Sequence, residues 1–371
     1  MKLTVSRNLL LATLQTCGRV INKNTTLPIT ECFKFDLDKE KLTITATDLE
    51  NTMISTITVD SEDKHSFCLS SKLFLEFLSE LVEQPLNIII EGQKMIVSAG
   101  FGEYVFMTED AKEFPLTISI LDGKKLSLIS SKLLRYINTT SFAIANDELR
   151  PVMNGIYFDI KLDSVTYVAT DAHKLVKLST KFDTAIDKED NFILNRKTSS
   201  LLCAILPKTE DNVAISFNEK NSMFETDKYT LISRLVEGRY PNYNGVIPQG
   251  NSNKLTTDRI GLINAVKRIS VFSNSASNII TLDIKNNEIV LQAQDIDFSI
   301  SAEEKLPCNY NGEDMKIGFK SSFLIDILKN ISTETVNIEL SDPTRAGLIM
   351  PLENEENEEL ICLLMPMILN D

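Results

Sequence analysis

The feature that most limits what this chain can fold into is an internal repetition. Residues Arg150–Leu178 read R-P-V-M-N-G-I-Y-F-D-I, a charged turn, then V-T-Y-V-A-T-D-A-H-K-L-V-K-L. An altered copy precedes it at Pro28–Asp36 and Ala46–Thr52, and a fainter one follows at Ile279–Ile284 and Ala293–Phe298. Asp36, Asp159 and Asp283 lie about 123 or 124 positions apart, as do Asp48, Asp171 and Asp295, and each pair within a copy is about 12 apart. The period predicts three domains, 1–120, 121–248 and 249–371, each long enough to bury a core of its own. The second copy carries His173-Lys174-Leu175 where the first has Glu50-Asn51-Thr52, so a copy-specific task is expected there.

Each copy holds two segments with helical spacing, beginning near Ser6, Ser70, Ser130, Asn195, Thr257 and Lys320. Cap-capable Ser, Asn or Thr opens five of the six. Between them run alternating apolar and polar stretches rich in Thr, Ile and Val, such as Leu42–Ala46, Val213–Phe217 and Val336–Leu340. Glu91-Gly-Gln-Lys, Asn218-Glu-Lys-Asn and Lys285-Asn-Asn-Glu mark turns. Few helices and many strands predict an α+β fold, with two helices packed on antiparallel sheet in each copy. Prolines about 125 positions apart close the copies, at Glu113-Phe-Pro-Leu, Arg239-Tyr-Pro-Asn and Met365-Pro-Met.

The net charge of −14, from 38 basic and 52 acidic residues, argues on average against nucleic acid. The distribution argues otherwise. The six helical segments sum to about +8 and the remainder to about −22, with Ser70–Glu83 the one helix that is not basic. Such a chain is suited to meeting phosphates with one surface and repelling them with another; the plainer reading is that the cations solvate helix surfaces. Lys23, Lys72, Lys132, Arg135, Arg196, Lys197, Lys267, Arg268 and Lys320 are the candidate DNA-facing residues. No aromatic stacking pattern interleaves them, so binding is expected to be phosphate-directed and sequence-blind.

Six scattered cysteines without a C-x-x-C pair and only two histidines predict reduced thiols, no metal centre and no required cofactor. The N-terminus lacks the apolar run of a signal peptide, and no apolar stretch is long enough to span a membrane, so a cytoplasmic protein is expected. No phosphate-binding loop, dinucleotide fingerprint or nucleophile elbow is present. The Asp shared by all copies reads as a turn-former; the competing reading is a metal-dependent nuclease using Asp48, Asp171 and Asp295. A monomeric protein-binding scaffold is the second alternative. His173 reads either as part of a copy-specific site or as a structural imidazole.

Four motifs in order resemble the bacterial DNA polymerase sliding clamp family: Arg150-Pro-Val-Met-Asn-Gly, Ala169-Thr-Asp-Ala-His-Lys-Leu, Gly238-Arg-Tyr-Pro-Asn-Tyr with Val246-Ile-Pro, and Met365-Pro-Met-Ile-Leu. The resemblance spans the whole chain. It implies three clamp domains per chain and a head-to-tail homodimer forming a ring around duplex DNA. It implies a non-catalytic processivity factor that tethers the polymerase alpha subunit, the clamp loader, repair polymerases and ligase through a linear peptide motif. The peptide pocket it implies comprises Arg150, Met153, Thr170, Ala172, His173, Lys174, Leu175, Pro241, Val246, Leu363, Met365, Pro366 and Met367. Tyr104, Val271 and Phe272 are the implied joint residues between subunits. The chain departs from the family pattern with Ala172 for Gly, Lys174 for Arg, Gly245 where a basic residue is frequent, and two residues after Leu369.

Overall fold

In the computed structural model, which describes residues 1–23, 25–116, 123–181, 188–285 and 287–369, every helix follows directly on a strand. Lys2–Ser6 leads into α1 (Arg7–Cys17), Lys64–Ser70 into α2 (Ser71–Glu80) and Lys124–Ile129 into α3 (Ser130–Ser141). Asp190–Asn195 leads into α4 (Arg196–Ile205), Asn253–Asp258 into α5 (Arg259–Ser270) and Met315–Lys320 into α6 (Ser321–Lys329). The junction residue is therefore both the end of a strand and the helix cap. Ser6 accepts from the Leu9 N–H at 3.3 Å, and the Asp258 carboxylate accepts from that of Gly261. The cap of α5 is thus Asp258, one residue beyond the expected Thr257, because its carboxylate reaches the free amide of the first turn.

The helices bury one stripe each. In α1 the stripe is Leu10, Leu11, Leu14 and Cys17; in α5 it is Leu262, Ile263, Val266 and Ile269. Each fully buried Leu or Ile contributes about 1.5–3 kcal/mol. The pairs α1–α2 and α5–α6 are tied in the same way. Arg7 donates to the Leu78 and Ser79 carbonyls, at 2.8 and 3.0 Å, at the end of α2. Arg259 donates to the Leu328 and Thr333 carbonyls, at 3.1 and 2.6 Å, around the end of α6. A guanidinium placed there satisfies helix-end carbonyls and complements the helix dipole.

The described residues divide into two compact units, 1–134 with 197–235, and 135–196 with 236–371. Neither is a single copy. In the first unit, a nine-stranded antiparallel sheet joins copy one to part of copy two where Tyr229–Arg234 pairs with Asn51–Thr58. A four-stranded sheet runs Lys2–Ser6, Pro85–Glu91, Lys94–Ala99, Gly102–Met107. In the second unit, a nine-stranded sheet joins the rest of copy two to copy three where Lys174–Lys181 pairs with Glu358–Leu364. Its four-stranded sheet runs Ile300–Pro307, Glu288–Asp295, Ile279–Lys285, Met315–Lys320. The mixed helix and antiparallel sheet is the expected α+β class. The expected boundary at 120/121 lies outside the described residues.

The repeated Asp forms a turn in every copy. Asp48 Oδ1 accepts from the amides of Glu50 and Asn51 at 3.0 and 2.6 Å. Asp171 Oδ1 accepts from His173 and Lys174 at 2.9 and 2.8 Å, and Asp295 Oδ1 from Asp297 at 3.0 Å. These are the side-chain-to-backbone bonds of Asx turns. Burial pushes the thiols of Cys17, Cys32, Cys68 and Cys362 up to about 12, so they stay protonated and serve as small core residues.

Candidate functional site

The copy-two turn connects Ser164–Thr170 to Lys174–Lys181. Thr170 reinforces it, accepting from the Ala172 N–H at 3.1 Å and donating to the Lys174 carbonyl at 2.8 Å. The turn holds Ala172 at φ +75°. That left-handed conformation costs a residue with a Cβ about 1 kcal/mol relative to glycine.

Lys174 is buried. Its ammonium lies 2.7 Å from Asp171 Oδ2 and 4.2 Å from the centroid of the Phe323 ring on α6. A buried cation requires such partners: the carboxylate neutralises it and the ring face attracts it. Lys320 places a second ammonium 4.7 Å from the same ring, and the His173 imidazole stacks beside it at 5.9 Å. Phe323 is thus the hub of the turn, although the sequence shows it only as one apolar residue in a helix opening. Lys320, a candidate for the DNA face, places its ammonium over this ring.

The end of the chain closes the site. Leu363 pairs opposite Leu175, and both are buried. Beyond that strand, the Met365 N–H donates to the His173 carbonyl and the Met367 N–H to the Gly318 carbonyl, each at 2.8 Å. Beneath lies a cluster of Val168, Leu175, Ile193, Tyr240, Tyr243 and Leu363 with their neighbours. Tyr240 stacks flat on Tyr157 at 4.6 Å. Tyr243 donates to Asp159 at 2.7 Å; burial, then this carboxylate, push its hydroxyl well up, so it stays a donor. Met153, Pro241 and Val246 join through chain neighbours in or on the cluster: Val152, Tyr240 and Ile247. Arg150 stands apart, exposed and paired with Asp147 at 2.7 Å. Val246 is 58% and Met365 40% exposed, which leaves an apolar surface over a rigid base.

The predicted DNA-facing cations separate into two sets. Lys23, Lys72, Lys132 and Lys267 are exposed, and their ammonium groups make no hydrogen bond or ion pair among the described residues. The others are engaged. Arg135 lies on Glu358, with Glu355 at 3.5 Å, and Arg268 lies on Glu304. Arg196 donates to the carbonyls of Ile144 and Ala145. Lys197 donates to the Val20 carbonyl, Asn22 Oδ1 and Asp48 Oδ2, each at 2.6 Å. Arg196, a candidate DNA-facing residue, keeps its charge while bonding neutral carbonyls; all three ammonium donors of Lys197 are occupied by protein acceptors, one of them the Asp48 carboxylate.

Two sheet edges carry concentrated apolar surface. Gly102–Met107 pairs only with Lys94–Ala99, and Ile300–Pro307 only with Glu288–Asp295, among the described residues. Around the first, Phe101, Val105, Met107 and Leu73 are exposed, and Tyr104 leans on Phe77 with ring centroids 4.6 Å apart. Around the second, Ile296, Phe298, Ile300, Val271 and Phe272 are exposed. Unpaired apolar edges are aggregation hazards unless another strand covers them.

Comparison with known proteins places these features in a family. The models for the N-terminal, central and C-terminal domains of the DNA polymerase III beta subunit match residues 1–119, 127–242 and 244–368. The beta sliding clamp of Pseudomonas aeruginosa is 30% identical over 371 residues, covering 99% of this chain and 100% of that protein. That of Vibrio cholerae is 27% identical over 368 residues, with 99% of each covered. A crystal structure of the Pseudomonas aeruginosa clamp bound to griselimycin superposes with a TM-score of 0.95 at 29% identity over the full length of both chains. The Bacillus subtilis clamp structure shares the fold at a TM-score of 0.95 and 23% identity, again over both full chains. Matches to all three domain models in order, together with full-length relatives, show that this chain belongs to the beta sliding clamp family, the beta subunits of bacterial DNA polymerase III.

Proposed function

We propose that the protein is a DNA sliding clamp: a non-catalytic, cytoplasmic ring of two chains that encircles duplex DNA and tethers the replicative polymerase. The observation that carries this reading is the pair of open apolar edges. Both joints between copies are closed by strand pairing, at Tyr229–Arg234 with Asn51–Thr58 and at Lys174–Lys181 with Glu358–Leu364. Pairing Gly102–Met107 of one chain with Ile300–Pro307 of a second closes these two edges head to tail. The joint then comprises Tyr104, Val271 and Phe272, with Phe101, Met107, Phe298 and Ile300 added by their exposure. Its apolar character makes closure insensitive to salt, whereas DNA contacts through Lys23, Lys72, Lys132 and Lys267 are screened.

The surface formed by the His173 turn, the Tyr240 region and Met365-Pro366-Met367 is proposed as the pocket for a partner's linear motif. Adaptable methionines over a rigid aromatic base suit one surface serving several peptides, among them those of the polymerase alpha subunit, clamp loader, repair polymerases and ligase. Griselimycin, seen on the Pseudomonas aeruginosa clamp, is a practical probe of it.

Topological retention tests the reading. Protein loaded by a clamp loader onto nicked circular plasmid stays through gel filtration and is lost when the plasmid is cut once. Equal loss from circular and linear DNA would overturn the ring; metal-dependent strand cleavage abolished by Asp171→Ala would replace it with an enzyme.

A further inference from the structure

We infer that Gly318 is a positioning residue for the peptide pocket, acting as the seat of a latch made by the end of the chain. This rests on the pocket assignment above and adds two residues that sequence reasoning did not single out, Gly318 and Leu369. The segment Met365–Leu369 is held at two points only a few residues apart: Met365 by the His173 carbonyl and Met367 by the Gly318 carbonyl. The second contact is an antiparallel bridge, so the chain end adds to the edge of the sheet at Met315–Lys320. That bridge depends on close approach. A Cβ built on Gly318 would lie 2.7 Å from Leu369 Cδ2, 2.9 Å from the Met367 carbonyl oxygen and 3.2 Å from Leu369 Cγ. Carbon atoms in contact sit near 3.5–4.0 Å, so even one methyl group displaces the latch. Gly318 has no need of glycine for a left-handed backbone, since its φ is not in that region. Its missing side chain serves the space that Leu369 fills.

The consequence reaches the pocket through Met367 and Pro366. With Met367 bridged, both methionines are fixed between the His173 turn and the sheet edge, so a partner peptide meets a preformed surface. With the latch displaced, the same side chains remain present but must be ordered on binding, which lowers affinity. Ile368, 86% exposed, and Leu369 also wall an open cavity of about 690 Å³ over the strands Ile279–Lys285 and Glu288–Asp295.

The test measures griselimycin affinity by calorimetry on the full-length protein, with sedimentation mass and thermal unfolding read in parallel. Gly318→Ala is expected to weaken binding about tenfold or more while the two-chain mass is retained. Leu369→Ala in the same chain removes the nearest clashing atoms and is expected to recover part of the loss, a rescue that a general packing defect would not give. Leu369→Asp, which leaves the sheet unaltered, is expected to weaken binding similarly and stands in if Gly318→Ala does not fold. Unchanged affinity in Gly318→Ala, or a loss that Leu369→Ala does not relieve, would overturn the latch. Deletion of Met365–Asp371 separates the two readings. If that deletion leaves affinity intact, the pocket itself is wrongly assigned. If it abolishes binding while Gly318→Ala and Leu369→Asp do not matter, the pocket stands and the latch falls.

Discussion

The turn at Asp48 and the turn at Asp171 are the same device put to different uses. In both, Oδ1 holds two backbone amides and Oδ2 takes a lysine ammonium, at 2.6 Å from Lys197 in copy one and 2.7 Å from Lys174 in copy two. In both, the residue after the aspartate is left-handed, Leu49 at φ +77° and Ala172 at φ +75°. The lysines differ in origin. Lys197 comes from α4, more than a hundred residues away, and Thr198 beside it donates to Asn51 at 2.8 Å. The Asp48 carboxylate is thereby buried at a joint between copies, while Leu49 and Glu50 at the tip of the turn stay exposed. Lys174 comes from the turn itself, and the elements that reach this turn from outside are the Phe323 ring and the segment at Met365; His173 stays exposed. Triplication supplies three related turns; the copy-two turn, which keeps its counter-charge local, is the one joined to the Met365 segment.

That contrast can be broken at several points. The largest effect is expected from deleting Met365–Asp371, which removes the chain end that completes the copy-two turn. Griselimycin affinity should fall by about 100-fold or more, while the sedimentation mass stays that of two chains. Next come the lysines. Lys197→Met leaves the buried Asp48 carboxylate without its cation and should destabilise the first unit by about 2–3 kcal/mol in urea unfolding, below the range for fully buried pairs because Lys197 is partly exposed. It should leave griselimycin binding unaltered. Lys174→Met should weaken griselimycin binding, as the Asp171 turn loses its counter-charge and Phe323 one of its two cations, and should also destabilise the second unit. If Lys197→Met weakened griselimycin binding as Lys174→Met does, the two turns would not have separate roles. The smallest effect is relief of backbone strain. Ala172→Gly and Leu49→Gly should each shift the conformational cost by about 1 kcal/mol, read as a change in urea midpoint, with the Leu49 variant also losing packing.

Much of this fold is legible in the sequence because the repeat makes three noisy signals into one. The openings of the six helices are readable since strand, cap and apolar stripe recur together. The opening near Thr257 is met within a residue, with the adjacent Asp258 carboxylate capturing the Gly261 amide. The Asp turn is readable because it appears in every copy. What the sequence does not show is where long side chains go. Arg196 and Lys197 look like surface charge on a basic helix, yet their partners lie on segments far away in the chain. Lys320 looks like another helix cation, yet its partner is an aromatic ring three residues on. Phe323 and Gly318 lack any local signature, since their importance arises from what the folded chain brings against them. The apolar edge residues Phe101 and Phe298 sit beside turns, where sequence alone gives no reason to separate an exposed aromatic from a buried one.

The central claim is that two chains close into a ring through apolar strand edges. Sedimentation equilibrium of the full-length protein at about 0.1 and 1 M salt, beside Phe298→Asp, tests it most directly. The account predicts the mass of two chains at both salt concentrations and a shift toward one chain in the variant. One-chain mass at low salt, dissociation driven by salt, or an unaltered mass in Phe298→Asp would contradict it.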